Sequence, residues 1–305
     1  MRVLVTGGSG FIGSNLCWRL SHQNQTVTIV RDLFPTETPW GRWLSQALSK
    51  TTIVLGDILN LNLLRRVIAE HRIDAVAHLA AQAIVSTAQK DPASTYMTNV
   101  QGTVNVLEAC RQLDVKKVLL MGTDKIYPEK LDITPDESLT SGEIYATSKA
   151  CAVLAAESYA KTYGLKIATP IASNCYGYDL APRIVSNTIR SCLRNEPPII
   201  FRGEEKTMRQ YIYIEDLTDA LTKLIEENHT GRFNVAVNPP LTQEQVVLKI
   251  LTNFPHLKPK YIERQKPIKE IQLQSLKPSD FGWKPKYTFE AGIKETIAKF
   301  KRYGF

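Results

Sequence analysis

Tyr145 and Lys149 in "YATSK" stand four residues apart, so on a helix they share one face. A phenol with its usual pKa of about 10 is a poor base at neutral pH. A neighbouring ammonium, and a positively charged ring beside it, favour the phenolate and bring proton transfer within reach. By itself the pattern is common on solvated helices. A second stretch, "MGTDKIYPE" (121–129), ends an apolar run with Thr123 and then sets an acid beside a base, Asp124 and Lys125. Read plainly, it is a charged surface turn with Lys125 in water. Read chemically, it is an acid–base pair in which Asp124 holds a proton and Lys125 lacks one. Neighbours on an extended chain point to opposite sides, so the two need not neutralise each other.

A glycine loop gives these residues a context. In "VTGGSGFIG", Gly7, Gly10 and Gly13 follow an apolar strand and open an amphipathic helix, with Phe11 and Ile12 between the last two glycines. Such glycines permit a tight turn and let a pyrophosphate approach the N–H groups at a helix N-terminus.

The elements that must carry these residues follow from short apolar runs alternating with helical patterns. Strands are expected at 2–6, 26–30, 51–55, 75–79, 117–121 and 166–171, and helices at 12–22, 60–71, 93–113 and 145–163. This alternation predicts an α/β fold with a doubly wound parallel sheet, whose ligand cleft lies at the carboxyl ends of the strands. Prolines punctuate the chain after Tyr176, with helices expected at 183–194, 215–228, 242–252 and 289–302. The expected division is a dinucleotide-binding domain over 1–176 and a smaller, mainly substrate-binding lobe over 177–305, some of whose segments return to the first domain.

Composition narrows the function. The 305 residues are 43% hydrophobic and 22% charged, enough for a substantial core. The five cysteines are dispersed without metal-ligand or disulfide spacing, so reduced thiols and no metal site are expected. No apolar run is long enough for a membrane span and no secretory leader is evident, which points to a cytoplasmic protein. The formal charge is +8, with basic residues dense over 256–270 and 299–302. They form a solvated basic surface or attract an anionic small molecule. No nucleic-acid module is present.

Together the motifs resemble the extended short-chain dehydrogenase/reductase family. The GxxGxxG spacing is joined in order by "GDI" (56–58), "HLAAQ" (78–82), "TNVQGTVNVLEAC" (98–110), "YATSK", "SNCYG" (173–177) and "RQYIYIEDL" (209–217). The resemblance implies a Rossmann-like fold, an NAD or NADP cofactor, a nucleotide-diphosphate sugar substrate and a homodimer packed through the helices at 93–113 and 145–163. It makes Thr123 the third member of a triad with Tyr145 and Lys149. Asp57 and Ile58 resemble the pair that contacts adenine, and Leu79, Ala80 and Ala81 the small-residue loop beneath the cofactor. Asn99 resembles an asparagine that supports the helix bearing the lysine, and is read equally well as a polar residue at a helix start. At the second strand end Arg31 stands where the family often has an acid, followed by Asp32. Arginine can bind a 2′-phosphate and a carboxylate repels one, so NAD and NADP both stay open with a slight lean to NADP. Asn174, Arg183 and Arg209 resemble substrate contacts, although both arginines are also readable as surface charges.

Within the family, the "TDK" of 123–125 is similar to 4,6-dehydratases, nearest to the CDP-glucose type, where Asp124 is the acid and Lys125 the base. A 4-epimerase needs only the triad, and a cofactor-binding sensor needs not even that. Four residues depart from the family pattern: Ile171 for an arginine, Gln210 for an acid, Pro128 for a glycine and Ile144 for a proline.

Overall fold

The computed structural model describes residues 1–140, 142–203, 205–263 and 274–305, so the later part of the basic run 256–270 lies outside the described residues. The chain forms two compact units. One comprises residues 1–128, 135–172 and 218–233, the other 129–134, 173–217 and 234–305.

In chain order the elements run β1 (Arg2–Thr6), α1 (Phe11–Leu20), β2 (Gln25–Val30), α2 (Pro39–Ala47), β3 (Thr51–Leu55), α3 (Leu61–Glu70), β4 (Ala75–His78), α4 (Val85–Lys90) and α5 (Pro92–Tyr96). A π turn (Met97–Gln101) leads into α6 (Gly102–Gln112), followed by β5 (Lys117–Leu120), a 3-10 turn (Asp124–Ile126), α7 (Ile144–Tyr163) and β6 (Lys166–Ala172). Then come β7 (Asn174–Tyr176), α8 (Ile184–Leu193), β8 (Ile199–Arg202), β9 (Met208–Arg209), β10 (Tyr211–Tyr213), α9 (Ile214–Glu226) and β11 (Gly231–Val235). The chain ends with β12 (Leu241–Thr242), α10 (Gln243–Leu251), β13 (Lys260–Glu263) and α11 (Phe289–Tyr303).

Seven strands form the main sheet in the order β11-β6-β5-β4-β1-β2-β3. The pairs β1–β2, β1–β4, β2–β3, β4–β5 and β5–β6 are all parallel. The expected α/β doubly wound sheet is therefore present. Val3, Leu4 and Val5 on β1 and Ala75, Val76 and Ala77 on β4 are almost fully buried, as strands covered on both faces must be. The strand order reverses between β1 and β4, which places the ends of these two strands, Thr6 and His78, side by side in register. Such a reversal opens a crevice at the strand ends.

Several features depart from the sequence expectation, among them α4 and the short strands β7–β10, β12 and β13. A helix stands at Pro39–Ala47, where none was expected; Thr38 caps it by accepting from Gly41 N at 3.0 Å, and Pro39 fills the first helical position. The single helix expected over 93–113 is instead α5, the π turn and α6. The main sheet also gains a seventh strand, β11.

Candidate active site

The loop after β1 is shaped by what a side chain would strike. Gly7 has φ +78°, and a Cβ there would lie 2.8 Å from Ala80 Cα. A Cβ on Gly13 would lie 2.1 Å from Gly7 O. The turn closes through Gly10 N, which donates to Gly7 O at 3.0 Å. Gly10 caps α1 without a side chain, and the first turn holds no acid, so the positive end of the helix keeps no negative charge of its own. Phe11 and Ile12 start the helix and are half-buried. The unexpected α2 braces this loop. Trp40 Nε1 donates to Ser9 O and Trp43 Nε1 to Ser14 Oγ, each at 3.0 Å. The signal was in "TPWGRW", a capping threonine followed by proline. Backbone bared by glycines before a helix with no side-chain cap fits the pyrophosphate of a dinucleotide.

Around the loop, the side chains of Arg31 and Asp32 are 71% and 63% exposed and pair with each other at 3.3 Å. Asp57 turns one carboxylate oxygen to Leu59 N at 2.9 Å. Ile58 is buried, its side chain filling the space that a Cβ on Gly102 would need, so what it offers a ligand is main chain. Leu79, Ala80 and Ala81 are half-buried, and the loop they form is pinned to β1. Leu79 N donates to Thr6 O at 3.3 Å and Ala80 N to Thr6 Oγ1 at 3.2 Å.

The opening acid–base stretch leaves β5 through Gly122, where a Cβ would meet Ile171 Cδ1 at 2.4 Å. Thr123 then caps a 3-10 turn rather than continuing an extended chain, which corrects the geometry assumed for Asp124 and Lys125. The Thr123 hydroxyl donates to Asp124 Oδ1 at 3.3 Å and accepts from Lys125 N at 3.4 Å. Asp124 is 6% exposed and Lys125 half-buried, so the acid of the pair is withdrawn from water.

The 3-10 turn packs against α7, which carries Tyr145 and Lys149 on one face. Ile144 sits at the first position of α7, a position that suits a proline because no intrahelical N–H bond is lost there. Lys149 is 6% exposed, and burial draws its ammonium down to about 8. Asn99 lies in the π turn, 1% exposed, and is not a solvated helix start. Its side chain holds Gln82 N (2.8 Å), Gln82 O (3.0 Å) and Ser148 Oγ (2.9 Å).

The three expected substrate residues lie in the other unit. Asn174 begins β7, and both its N and Nδ2 donate to Gln210 O at 3.2 Å. Arg209, 9% exposed, donates to Met208 O at 2.9 Å and stands 3.7 Å from Glu129. Arg183 caps α8 from an exposed position and pairs with Asp179 at 3.1 Å. Gln210 has a physical reason to be an amide. Its Nε2 donates to Leu276 O (2.9 Å) and Asn238 Oδ1 (2.5 Å), while its Oε1 accepts from Leu276 N (2.7 Å). Among the described residues no cluster could hold a metal ion, and no helix is long and apolar enough to cross a membrane.

Comparison with known proteins gives consistent matches. A family model described as NAD dependent epimerase/dehydratase matches residues 3–236. The chain is 28% identical over 311 residues to the dTDP-glucose 4,6-dehydratase of Mycolicibacterium smegmatis, covering 97% of this chain and 92% of that protein. Among solved structures, the UDP-glucose 4-epimerase of Thermotoga maritima with UDP-glucose aligns at TM-score 0.85, 26% identity and 99% coverage of both chains. The dTDP-glucose 4,6-dehydratase of Bacillus anthracis in complex with NAD aligns at TM-score 0.84 and 26% identity, over 99% of this chain and 97% of that one.

Proposed function

The chain belongs to the NAD dependent epimerase/dehydratase family, and we propose that it is a sugar-nucleotide 4,6-dehydratase. The observation that carries this reading is Asp124. It is a carboxyl group 6% exposed, hydrogen-bonded to Thr123, on a turn packed against the helix of Tyr145 and Lys149. Oxidation and reduction at C4 alone have no use for it, whereas expulsion of a hydroxyl at C6 needs an acid. The named dehydratase relatives, aligned over nearly the whole chain, support the same choice.

We propose that Gly7, Gly10 and Gly13, with the first residues of α1, receive the pyrophosphate of NAD or NADP. Asp57, the main chain at Ile58 and the loop Leu79–Ala81 line the rest of its site. Held there, the dinucleotide would supply both the acceptor and the donor of one hydride, which keeps the reaction redox-neutral. At the end of β2, Arg31 would favour a 2′-phosphate and Asp32 would repel one, and the relative affinities for NAD and NADP measure which prevails.

The remaining chemistry belongs to side chains. Thr123 holds the C4 hydroxyl, Tyr145 as phenolate takes its proton, and the Lys149 ammonium stabilises the phenolate. The ketone so formed acidifies the C5 proton, which Lys125 removes. Asp124 gives a proton to the departing C6 hydroxyl, water leaves, and Lys125 returns its proton to C5 as C6 gains a hydride, which leaves the 4-keto-6-deoxy sugar. Asn174, Arg183 and Arg209 bind the nucleotide diphosphate, the arginines through its phosphate oxygens. The exposed apolar Leu154 on α7 belongs, on this reading, to a homodimer interface.

The test is to incubate the protein with CDP-, dTDP- and UDP-glucose and follow the products by NMR. A 4-keto-6-deoxy sugar is expected. A C4 epimer alone would replace the reading with an epimerase, which the Thermotoga maritima alignment favours, and binding without conversion would replace it with a sensor. Lys125→Ala should slow product formation by about 10²-fold, the usual contribution of a positioned base. An unchanged rate would remove Lys125 from the mechanism.

A further inference from the structure

The ends of β1 and β4 meet in a buried polar cluster that none of the proposed catalytic steps uses. Its members, Thr6, His78, Asn99, Thr103 and Ser148, are each at most 2% exposed. His78 Nδ1 lies 2.7 Å from Thr6 Oγ1, and His78 Nε2 lies 3.0 Å from Thr103 Oγ1. Thr103 Oγ1 donates to Asn99 O at 2.6 Å. Asn99 Nδ2 donates to Ser148 Oγ at 2.9 Å, and Ser148 Oγ donates to Tyr145 O at 2.7 Å.

Counting protons fixes every direction in this chain. A hydroxyl has one proton to give. Thr103 spends its proton on Asn99 O, so it can only accept from His78, which puts the imidazole proton on Nε2. His78 Nδ1 is then an acceptor, and it receives the Thr6 proton. Thr6 in turn accepts from Ala80 N at 3.2 Å. Ser148 spends its proton on Tyr145 O and therefore accepts from the Asn99 amide. The amide's other proton goes to Gln82 O, and its oxygen receives Gln82 N.

An imidazolium would break the pattern, because Thr6 would have to accept a second proton and its own would lose its acceptor. Burial, with the charge of Lys149 as a lesser cause, pushes His78 down to about 3. Unsatisfied buried groups are costly, so a network in which every group is matched has one arrangement rather than several.

We propose that this cluster is a positioning device for the reaction, with His78 as its neutral Nε2–H link. It locks the loop Leu79–Gln82, from which Ala80 and Gln82 are held, to the main chain of Tyr145 on the catalytic helix. His78 and Thr103 touch no reacting atom; they act through Asn99 and Ser148. The catalytic consequence rests on the reading of Tyr145 as the proton acceptor, whereas the lock itself does not.

The test uses Thr103→Val, which keeps the shape and deletes the hydroxyl, and Thr103→Ser, which keeps the hydroxyl. In Thr103→Val, kcat for the 4-keto-6-deoxy sugar should fall about tenfold while KM for the sugar nucleotide stays within about twofold, because misplacement rather than binding is lost. Thr103→Ser should stay within about twofold of the parent in both. A Thr103→Val enzyme with unchanged kcat would overturn the proposal, since a purely structural hydroxyl would alter melting and leave turnover alone.

Two further readouts do not depend on activity. If the parent protein converts no sugar nucleotide, the proposed function fails, and amide exchange at Ala80 and Gln82 still decides the lock. Exchange about tenfold faster in Thr103→Val than in Thr103→Ser supports it, and equal exchange overturns it. If Thr103→Val does not fold, the imidazole 15N shifts of His78 in the parent protein at pH 7.5 decide. A neutral Nε2–H ring is expected, and an Nδ1–H ring or an imidazolium would refute the lock.

Discussion

Lys149 holds its charge where burial resists it. Its ammonium is drawn from the ordinary 10.5 to about 8. Between these values the unfolded chain binds the proton and the folded chain does not, so stability rises with pH across that window. Below about 8 both states are protonated and the full cost of burying the ammonium is present. Lys149→Met should therefore stabilise the ligand-free protein by about 3 kcal/mol at pH 7, with the gain fading as pH approaches the unfolded value. Urea unfolding of both proteins at pH 6, 7, 9 and 10 checks this; a difference independent of pH would mean that charge burial is not its source. On the proposed mechanism the same variant should also lose turnover, since it removes the ammonium that is to stabilise the Tyr145 phenolate. The place of Tyr145 and Lys149 on one face of one helix was legible in the sequence because it depends only on helical spacing. The burial of Asp124 was not, because it arises from a 3-10 turn packed against α7, a partner 20 residues further along the chain.

At the level of elements, Gln210 ties the chain between β9 and β10 to Leu276 and Asn238 within one unit. Its amide donates to two oxygens and accepts from one N–H, a set that a carboxylate cannot satisfy. Gln210→Glu keeps the shape and turns an acceptor toward Leu276 O and Asn238 Oδ1. We expect a loss of about 2 kcal/mol or more in urea unfolding at pH 8, the cost of unsatisfied buried groups. A change below about 0.5 kcal/mol would mean that this site accommodates the family's acid as readily. The sequence marked Gln210 as a departure without supplying its reason, because Leu276 lies 66 residues away. Local signals served well where one segment determines its own structure. All six expected strands of the first region stand within a residue or so of their places, and α7 begins one residue before Tyr145. They served poorly where partners decide. The π turn between α5 and α6 is where Asn99 bonds Gln82 and Ser148, partners that lie far from it in sequence. The capping residues of α2 were readable locally, but its purpose, two indoles hydrogen-bonded around the glycine loop, was not.

For the molecule as a whole, charge and apolar surface make opposing demands on assembly. Each chain carries a formal charge of +8, so two copies repel. Against this, Leu154 on α7 is 54% exposed and Met97 in the π turn 51% exposed, on the two helical segments expected to meet a second copy. Apolar burial is nearly indifferent to moderate salt, whereas repulsion between exposed charges weakens as the Debye length falls from about 30 Å at 0.01 M to about 8 Å at 0.15 M. A homodimer closed by these helices should therefore tighten as salt rises, the reverse of an assembly held by ion pairs. Sedimentation at 0.01 M and 0.15 M salt reads this directly against the chain mass of 34.3 kDa. The expected result is a species of twice that mass, populated at lower protein concentration in the higher salt. A species of single-chain mass at tens of micromolar in both buffers would refute the dimer. Dissociation on adding salt would keep the dimer but assign its interface to charged pairs rather than to the faces of Leu154 and Met97.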